Sequence, residues 1–402
     1  MKIVVLKFGG TSVGSIDRIK KVANIVASYK KSNKKIIVVI SAMSGETNSF
    51  IKKSKLLSDN FIKSEYDLLL SSGEQISSSL LAGRLVHLGL KSRSWMGWQI
   101  PILTTDTHSN AKITKIFTKE IKQFLKKGGI PIIAGFQGIN KSNRVTTLGR
   151  GASDYTAIMV SKFFKATKCI IYTDVIGVMT TDPKLYNKAK KIKVISYEEM
   201  LEMSSLGSKV MQSNSVQDAR LSRINIEVKS SFKKSTGTLI TKRKNINNDK
   251  VIRGISSVKN DAKITLVGVK DRPGVAASIF EPLYKNSINV DMVVQNISAN
   301  GTDTDITFTT KLDDLKKTYK LVSNNKKINF KTILVDKNVS KVSIVGVGMI
   351  TTPGVTYRMF KALSKHKINI LVISTSEIKI SVLIKRTNVK KAIESLHKEF
   401  NL

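Results

Sequence analysis

Apolar runs alternate with amphipathic stretches along the first 240 residues. The apolar runs are short and rich in β-branched residues, as in buried strands, and lie at residues 35–40, 130–134, 169–173 and 224–229. The helix-like stretches lie at residues 18–30, 73–88 and 154–165. Strands that alternate with helices are typical of βαβ units, so the pattern predicts an α/β fold with a mainly parallel, open sheet between layers of helices. Ligands of such sheets bind at the carboxyl ends of the strands.

The pattern changes after a polar, aperiodic stretch at residues 242–250, which is typical of a linker. Beyond it, the segment from Val267 to Asn289 recurs as the segment from Val345 to Asn369, with a Pro-Gly pair in each copy. Each copy has the pattern of a strand, a turn, an amphipathic helix and two further strands, which predicts two small α+β modules. The Pro-Gly turn either binds a small carboxylate at a helix N-terminus or is only a structural turn, and both interpretations stay open.

The first apolar run ends in glycine and hydroxyl residues. It reads IVVLKFGGTSV from residue 3, so Lys7 is followed by Gly9 and Gly10, whose missing side chains let backbone N–H groups approach a phosphate. Thr11 and Ser12 are expected to cap a helix that starts near Ser15. The spacing differs from that of a P-loop, and a Gly-Gly pair after a strand is more often only a tight turn.

Composition narrows the class of protein. The chain has 402 residues with 41% hydrophobic content, enough for two or three soluble domains. Its single cysteine, Cys169, lies in an apolar run, which favours a core position and a reducing compartment, and its four scattered histidines suggest no metal site. The N-terminus lacks a secretion signal and no apolar stretch is long enough to span a membrane, so we expect a cytoplasmic protein without membrane partners.

The formal net charge of +39 raises the possibility of nucleic-acid binding. Most of the excess is lysine spread along the whole chain, and aromatic residues make up only 6%, without a strip on which bases would stack. A solvated lysine-rich surface is therefore favoured, with nucleic-acid binding kept as a minor alternative.

Several polar clusters of the first 240 residues are candidates for chemistry. Arg150 lies in a glycine-rich loop, where a guanidinium can hold a carboxylate. Asp154 either pairs with Lys7 or caps the helix that begins near Tyr155, and the cap is favoured. Glu74 is expected at a helix start, stabilised by the helix dipole or bound to a substrate ammonium. Residues 172–174 end a strand and lead into a turn-rich loop at 177–183 that suits a nucleotide, whereas Lys209 alone would be taken for a solvated helix lysine.

The ordered set of motifs is more specific than any member. It comprises KFGGTSV, VISAMSGETN, SSGEQIS, GFQG, TTLGRGASDYTA, IYTDVIGVMTTDP and SYEEMLEMSSLGSKV. Together they resemble the aspartate kinases of the amino-acid kinase family. The C-terminal copies, with DRPGVAASIF, INVDMVVQNIS and STSEIKISVLI, resemble the paired ferredoxin-like ACT domains of that family. The resemblance implies a catalytic domain at residues 1–245 and ACT domains at 251–336 and 337–402, with residues 251–257 pairing with the second.

The implied reaction is ATP-dependent phosphorylation of the aspartate side chain, the first step towards lysine, threonine and methionine, with Mg²⁺ carried by ATP and no protein-bound metal. Lys7 and Asp154 are the implied catalytic residues. The implied substrate-binding residues are Ser41, Thr47, Glu74, Arg150, Gly151, Ala152 and Ser153. The implied nucleotide-binding residues are Lys7, Phe8, Gly9, Gly10, Tyr172, Thr173, Asp174, Val178, Met179, Thr180, Thr181, Asp182, Pro183 and Lys209.

The resemblance also implies feedback by lysine, threonine or both, and a homo-oligomer that pairs through its ACT domains. The implied effector-binding residues are Asp271, Gly274, Val275, Ala276, Asn289, Val290, Asp291, Gln295, Ser298, Asn369, Ile370 and Glu377. The chain departs from the family pattern at Ala152, Tyr155 and Ile176, which keeps open an alternative in which it is a catalytically weakened amino-acid sensor. A related carboxylate or phosphate kinase fits less well, because such kinases are not expected to combine these motifs with tandem ACT domains.

Overall fold

A computed structural model describes residues 2–32, 34–149, 151–206, 210–243, 250–297, 303–325 and 327–402. These residues form two compact units. The first contains the chain up to Val178, then Lys191–Ser204 and the described residues of the range 210–243. The second contains Met179–Lys190, then Ser205 and Leu206, and the described residues of the range 250–402. The predicted linker lies mostly at residues 244–249, outside the described ranges.

Eight strands among the described residues form the main sheet of the first unit. They are β1 (Ile3–Phe8), β2 (Lys35–Ile40), β3 (Ser92–Trp95), β6 (Ile130–Ala134), β9 (Lys168–Thr173), β10 (Val194–Ser196), β11 (Ile226–Ser230) and β12 (Thr238–Thr241). Their order is β10-β12-β11-β9-β1-β2-β6-β3, and only the β11–β12 pair is antiparallel. A smaller sheet is made of β4 (Ile102–Thr104), β5 (Ile113–Ile116), β7 (Gln137–Ile139) and β8 (Val145–Thr147).

Helices pack on this sheet because its central strands are apolar on both faces. The helices of the unit are α1 (Ile16–Lys31), α2 (Glu46–Leu57), α3 (Lys63–His87), α4 (Lys119–Lys126), α5 (Ala152–Phe163), α6 (Tyr197–Ser205) and α7 (Ser213–Ser222). Leu6 and Phe8 of β1 lie with Val22 of α1 and Leu81 of α3 in one buried cluster. Burial on both faces is typical of a parallel sheet and explains why these strands read as continuous apolar runs.

The expected strands and helices are found, with one large shift in a boundary. α3 begins at Lys63, ten residues before the predicted start, so Glu74 lies in the middle of a helix and not at its beginning. The Ser-Ser-Gly sequence suggested a helix start because serine competes with the helical backbone. Here the Ser71 hydroxyl donates to the Leu68 carbonyl at 2.8 Å, and the Ser77 hydroxyl donates to the Ser41 carbonyl at 2.7 Å. Because these hydroxyls have acceptors, the helix runs through the segment.

The predicted caps near the N-terminus are also corrected. Thr11 and Ser12 lie inside a short 3₁₀ turn, Gly10–Val13, and Ser15 is the residue that caps α1, accepting from the Arg18 N–H at 3.3 Å. The Ser12 hydroxyl instead lies 2.8 Å from that of Ser231, in the loop after β11. The Ser12 hydroxyl therefore links the segment after β1 to the segment after β11.

The second unit is built on a six-stranded sheet among its described residues. The strands are β13 (Gly254–Lys270), β14 (Val290–Ile297), β15 (Asp303–Lys311), β16 (Thr332–Val345), β17 (Val372–Ser376) and β18 (Lys379–Lys385), in the order β14-β15-β13-β16-β18-β17. The helices are α8 (Val275–Lys285), α9 (Leu315–Ser323), α10 (Val355–Lys365) and α11 (Val389–Glu399). Each copy of the repeat has a strand, a helix that starts after a glycine in the left-handed region, two strands and a last helix.

The two copies share one sheet, because the long strand β13 pairs with the long strand β16. β13 pairs with β16 along most of its length, and its first residues, 254–258, lie opposite residues 341–345. The expected division at residues 336 and 337 therefore falls inside the single strand β16. Ile252 and Ile255 lie in the apolar core of the second copy, whereas Ala262 and Ile264 lie in the core of the first.

Residues 179–190 pack within this second unit although they follow β9 in the chain. The Thr180 carbonyl accepts a hydrogen bond from the Ile255 N–H at 2.7 Å, and its hydroxyl lies 2.9 Å from Nε2 of His397. Leu185 and Tyr186 pack against the apolar core of the second copy. The turn-rich loop predicted at residues 177–183 is therefore divided, with Val178 in the first unit and the residues after it in the second. No helix in the described part of the chain is long and apolar enough to cross a membrane.

Candidate active site

A cavity of about 430 Å³ lies at the carboxyl ends of the parallel strands in the first unit. Lys7 and Gly10 reach it from β1, Ser41 follows β2, and Phe136 follows β6. Glu74 enters from α3. The cavity therefore lies at the sheet edge where the alternation of strands and helices predicts a ligand.

The cationic side of the cavity is a buried ion pair. Nζ of Lys7 lies 2.7 Å from Oδ1 of Asp154, and each side chain is only 11% exposed. Asp154 lies in the first turn of α5, whose N-cap is Gly151 at a φ of 73°, so the favoured interpretation of Asp154 as the cap was wrong. The alternative, that Asp154 pairs with Lys7, matches the geometry. An ion pair in this position fixes the lysine ammonium at the end of β1.

The two glycines that follow Lys7 and Phe8 have different structural roles. A Cβ on Gly10 would lie 2.9 Å from the Ala42 carbonyl oxygen, so the loop after β2 packs directly on this turn. The Gly9 N–H donates to the Tyr172 carbonyl at 3.2 Å, so this amide belongs to the fold and is not free for a phosphate. Phe8 is fully buried and stacks on Tyr172 with ring centroids 4.8 Å apart. Phe8 and Gly9 therefore position the β1 end, while Lys7 and Gly10 line the cavity.

The anionic side of the cavity is the carboxyl group of Glu74. The residue is 3% exposed, and burial raises the pKa of this carboxyl to about 8. A backbone hydrogen bond from Ala42 and the charge of Lys7 oppose that shift. Oε2 of Glu74 has no hydrogen-bond partner among the described residues. A buried carboxylate oxygen without a partner is costly unless a ligand supplies a donor, which a substrate ammonium would do.

Close packing holds Glu74 at this place. A Cβ on the preceding Gly73 would lie 2.7 Å from Cβ of Ala42, so only glycine lets α3 approach the loop after β2 so closely. The same loop carries Ser41 and leads to Thr47 in the first turn of α2, and both line the cavity. The motifs around residues 41–47 and 71–77 are thus two sides of one contact.

The glycine-rich loop brings further predicted residues to the cavity. Gly151, Ala152 and Ser153 line it, and Ser153 is 6% exposed. Tyr155, one of the departures from the family pattern, has its hydroxyl 3.1 Å from the Ile113 N–H, from which it accepts. Arg150 and Lys209 lie outside the described residues, as does Ser298 among the effector candidates.

Apart from Lys7 and Gly10, the predicted nucleotide residues do not line this cavity. Tyr172, Thr173, Asp174 and Val178 lie at and after the end of β9, which is paired with β1. Thr180 and Thr181 are buried in the second unit, and Asp182 and Pro183 are exposed there. The part of the chain that the structure describes contains no cluster of three acidic, histidine or cysteine side chains that would hold a metal ion.

The effector candidates lie mostly on the surface of the second unit. Asp271, Gly274 and Ala276 surround the start of α8, where Val275 is buried. Asn289 immediately precedes β14, which lies at an edge of the sheet, and Val290, Asp291 and Gln295 lie within that strand. Asp291 pairs with Lys341. In the second copy, Asn369 and Glu377 are exposed and Ile370 is partly buried.

Sequence reasoning missed several residues of the cavity wall. Tyr66, Ser109 and Thr147 line it, and all three lie near Asp67, a fully buried carboxylate in α3. Ser109 has a φ of 64°, a left-handed conformation that is uncommon for a residue other than glycine. The spacing of Asp67 and Glu74, two helical turns apart, was the available signal, because it places both carboxylates on one face of a helix.

Comparisons with known proteins agree with the motifs. A model of the amino acid kinase family matches residues 2–230, and a model of the ACT domain matches residues 264–325 and 342–400. An aspartate kinase of Pseudomonas putida is 43% identical over 404 residues, covering 100% of this chain and 98% of that protein.

Solved structures show the same fold. The crystal structure of Clostridium acetobutylicum aspartate kinase has a TM-score of 0.82 and 25% identity, covering 99% of this chain and 100% of the other. Aspartokinase III of E. coli, crystallised with aspartate and ADP, has a TM-score of 0.80 and 24% identity, with 100% of both chains covered. The expected family resemblance and fold class are confirmed.

Proposed function

The chain belongs to the aspartate kinases of the amino acid kinase family, and we propose that it transfers the γ-phosphoryl group of ATP to the side-chain carboxylate of L-aspartate. The product is 4-phospho-L-aspartate, an acyl phosphate that leads to lysine, threonine and methionine. The observation that carries the proposal is the presence in one cavity of the Lys7–Asp154 ion pair and of a buried Glu74 oxygen that has no hydrogen-bond partner in the described part of the chain.

The site has one group for each charge of the amino acid. Glu74 receives the substrate ammonium, which gives its Oε2 the missing donor. Arg150 binds the α-carboxylate, and Ser41, Thr47 and Ser153 position the substrate with the backbone of Gly151 and Ala152. The side-chain carboxylate of the substrate then faces Lys7. With the ammonium and α-carboxylate fixed, the reacting oxygen has little freedom left.

The chemistry needs no general base. A free aspartate side chain has a pKa of about 3.9 and is already ionised at neutral pH. Its oxygen forms a bond to the γ-phosphorus while the bond from that phosphorus to the bridging oxygen breaks, and ADP leaves with the electron pair. Lys7 neutralises charge on the phosphoryl oxygens, and Asp154 holds the Lys7 ammonium in place.

The nucleotide approaches from the β9 side of Lys7. Its proposed contacts in the first unit are Lys7, Gly10, Thr173, Asp174 and Val178, while Met179, Thr180, Thr181, Asp182, Pro183 and Lys209 stay predictions. Mg²⁺ is proposed to arrive on the phosphates of ATP rather than in a protein cage.

Regulation is proposed for the second unit. Lysine, threonine or both would bind the ACT region, where the candidate residues lie on an exposed sheet edge and at the start of α8. An exposed edge invites pairing between copies, so a homo-oligomer is part of the proposal. We also keep the proposed domain boundaries, with catalysis at residues 1–245 and regulation from 251 onwards, and a cytoplasmic location, where ATP and aspartate are available.

One coupled assay tests the proposal. The purified chain is incubated with ATP, Mg²⁺ and L-aspartate, and hydroxylamine traps the acyl phosphate as a hydroxamate. Hydroxamate formed with aspartate, and not with glutamate or acetate, supports the reaction and its substrate. A folded protein that yields no hydroxamate with aspartate refutes it and leaves the sensor alternative. Repeating the assay with lysine and threonine, singly and together, tests the feedback.

A further inference from the structure

Helix α3 carries a second buried carboxylate, Asp67, two turns before Glu74. Asp67 has no exposed surface. Its Oδ2 accepts from the N–H of Ser109 at 2.9 Å and the N–H of Thr147 at 3.0 Å, and lies 2.8 Å from Nδ1 of His108. Its Oδ1 accepts from the hydroxyls of Ser109 at 3.0 Å and Thr147 at 2.6 Å. One side chain thus binds two segments that lie 42 and 80 residues away in the chain.

Both of these segments belong to the cavity wall. Ser109 and Thr147 line the cavity, whereas Asp67 itself does not. Ser109 adopts a φ of 64°, a left-handed conformation that is unfavourable for a residue with a side chain. The two hydrogen bonds from Ser109 to Asp67 hold it there. The Ala111 N–H adds a link by donating to the Thr147 carbonyl at 3.0 Å.

The wall held by Asp67 leads directly into the glycine-rich loop. Thr147 ends β8, and the Leu148 N–H then donates to the Phe136 carbonyl at 3.0 Å. Gly149 follows, and α5 begins at Ala152. A shift of Thr147 would therefore move the start of the loop that carries the proposed binding group for the substrate α-carboxylate. Glu74, the proposed binding group for the ammonium, is on the same helix as Asp67.

We propose that Asp67 is a positioning residue for the amino-acid substrate. It holds the cavity wall at residues 108–109 and 147 against the helix that carries Glu74. The inference rests on the proposed function, because it assigns the cavity to an amino-acid substrate. Asp67 does not contact the substrate, so its effect is on the binding of aspartate rather than on the phosphoryl group.

The variants follow from the hydrogen-bond pattern. In Asp67→Ala all five contacts are lost. In Asp67→Asn the amide oxygen, placed at Oδ2, accepts from the two N–H groups and His108, while the amide nitrogen donates to the two hydroxyls, which also accept. Asn is therefore expected to restore function without the charge. Leu85→Ala is the matched control, since Leu85 is buried in α3, lies outside the cavity wall and costs stability through packing alone.

Steady-state kinetics and thermal unfolding are measured on the full chain. For Asp67→Ala we expect the KM for aspartate to rise at least about tenfold, with the KM for ATP within about twofold of wild type. Asp67→Asn should return the KM for aspartate to within about threefold of wild type. Leu85→Ala should lower the unfolding temperature while leaving both KM values unchanged. A merely structural Asp67 would behave like Leu85 and overturn the inference.

Two further outcomes keep the test decisive. If Asp67→Ala does not fold, Asp67→Glu is measured instead: it keeps the charge but displaces the carboxylate by one methylene from the Ser109 and Thr147 groups that it binds, and an unchanged KM for aspartate in folded Asp67→Glu refutes the inference. Wild-type protein runs in the same hydroxamate assay. Absence of wild-type turnover rejects the proposed function, whereas wild-type turnover with an unaltered KM in folded Asp67→Ala rejects only the role of Asp67.

Discussion

The raised pKa of Glu74 makes aspartate binding depend on pH in a defined direction. The pKa of this carboxyl is about 8, so at pH 7 the protonated form of the empty enzyme outnumbers the ionised form about tenfold. A substrate ammonium binds the ionised form, so the proton must leave. The KM for aspartate should therefore fall about tenfold per pH unit between pH ~6 and ~7, and level off above pH ~8.

Glu74→Gln removes this titration. Its KM for aspartate should be nearly flat with pH, close to wild type at pH ~6 and roughly 10- to 100-fold higher at pH ~8.5, because a charged hydrogen bond contributes about 1.5–3 kcal/mol. Glu65→Gln on the same helix is the control, since Glu65 is about half exposed and pairs with Arg144. Initial rates at several pH values, with ATP saturating, give both profiles. A Gln variant that keeps the wild-type pH slope would refute the assignment of Glu74.

The same shift has a consequence for stability. The folded chain binds more protons at Glu74 than the unfolded chain between pH 4.5 and about 8, so this group's contribution to stability falls as pH rises through that range. The shift corresponds to about 5 kcal/mol between the protonated and ionised forms. In the absence of aspartate, Glu74→Gln should therefore unfold at a higher temperature than wild type at pH ~8.5, and the difference should shrink toward pH ~5.

Three further results are expected. Lys7→Ala should lower kcat at least about 100-fold, because transition-state charge loses its cation; retained turnover would show that Lys7 has no catalytic role. Burial lowers the pKa of His397 below its ordinary 6.5, so the folded chain binds fewer protons than the unfolded one and stability is lost as pH falls below that value. His397→Gln should flatten this loss in thermal unfolding scans, and an unchanged profile would contradict the expectation. Gln295→Ala, on the exposed edge at β14, should weaken feedback by lysine or threonine about tenfold or more with kcat unchanged, and an unaltered inhibition curve would remove Gln295 from the effector site.

Local patterns predicted the elements of the fold well. β2 and β6 have the predicted bounds, because a buried parallel strand is a continuous apolar run. The start of α3 was predicted wrongly, since the serines that normally favour a helix start have other acceptors: Ser71 donates to the Leu68 carbonyl inside the helix and Ser77 to the Ser41 carbonyl outside it. Other helices, among them α2, α4, α9 and α11, were not predicted. The pairing of β13 with β16 across the repeat lies beyond any local pattern.

Residues of the candidate site could be predicted where the side-chain type and the neighbouring motif are both distinctive. Lys7, Glu74 and Ser153 do meet in one cavity. The role of Asp154 depended on a partner 147 positions earlier in the chain, so the sequence alone favoured the local alternative of a helix cap. Asp67 had no motif of its own, because its five hydrogen bonds are made with three residues that are distant in the chain, His108, Ser109 and Thr147.

The second unit is discontinuous in the chain, and this limits how it can be handled as a module. A polypeptide that starts at residue 250 lacks Met179–Lys190, which supply the acceptor for the Ile255 N–H and the hydroxyl beside His397. It would also uncover the apolar surface on which Leu185 and Tyr186 pack. Exchange of regulatory halves between related kinases therefore requires three crossovers rather than one, two around residues 179–190 and one before residue 250, so that this internal segment and the C-terminal half come from the same parent.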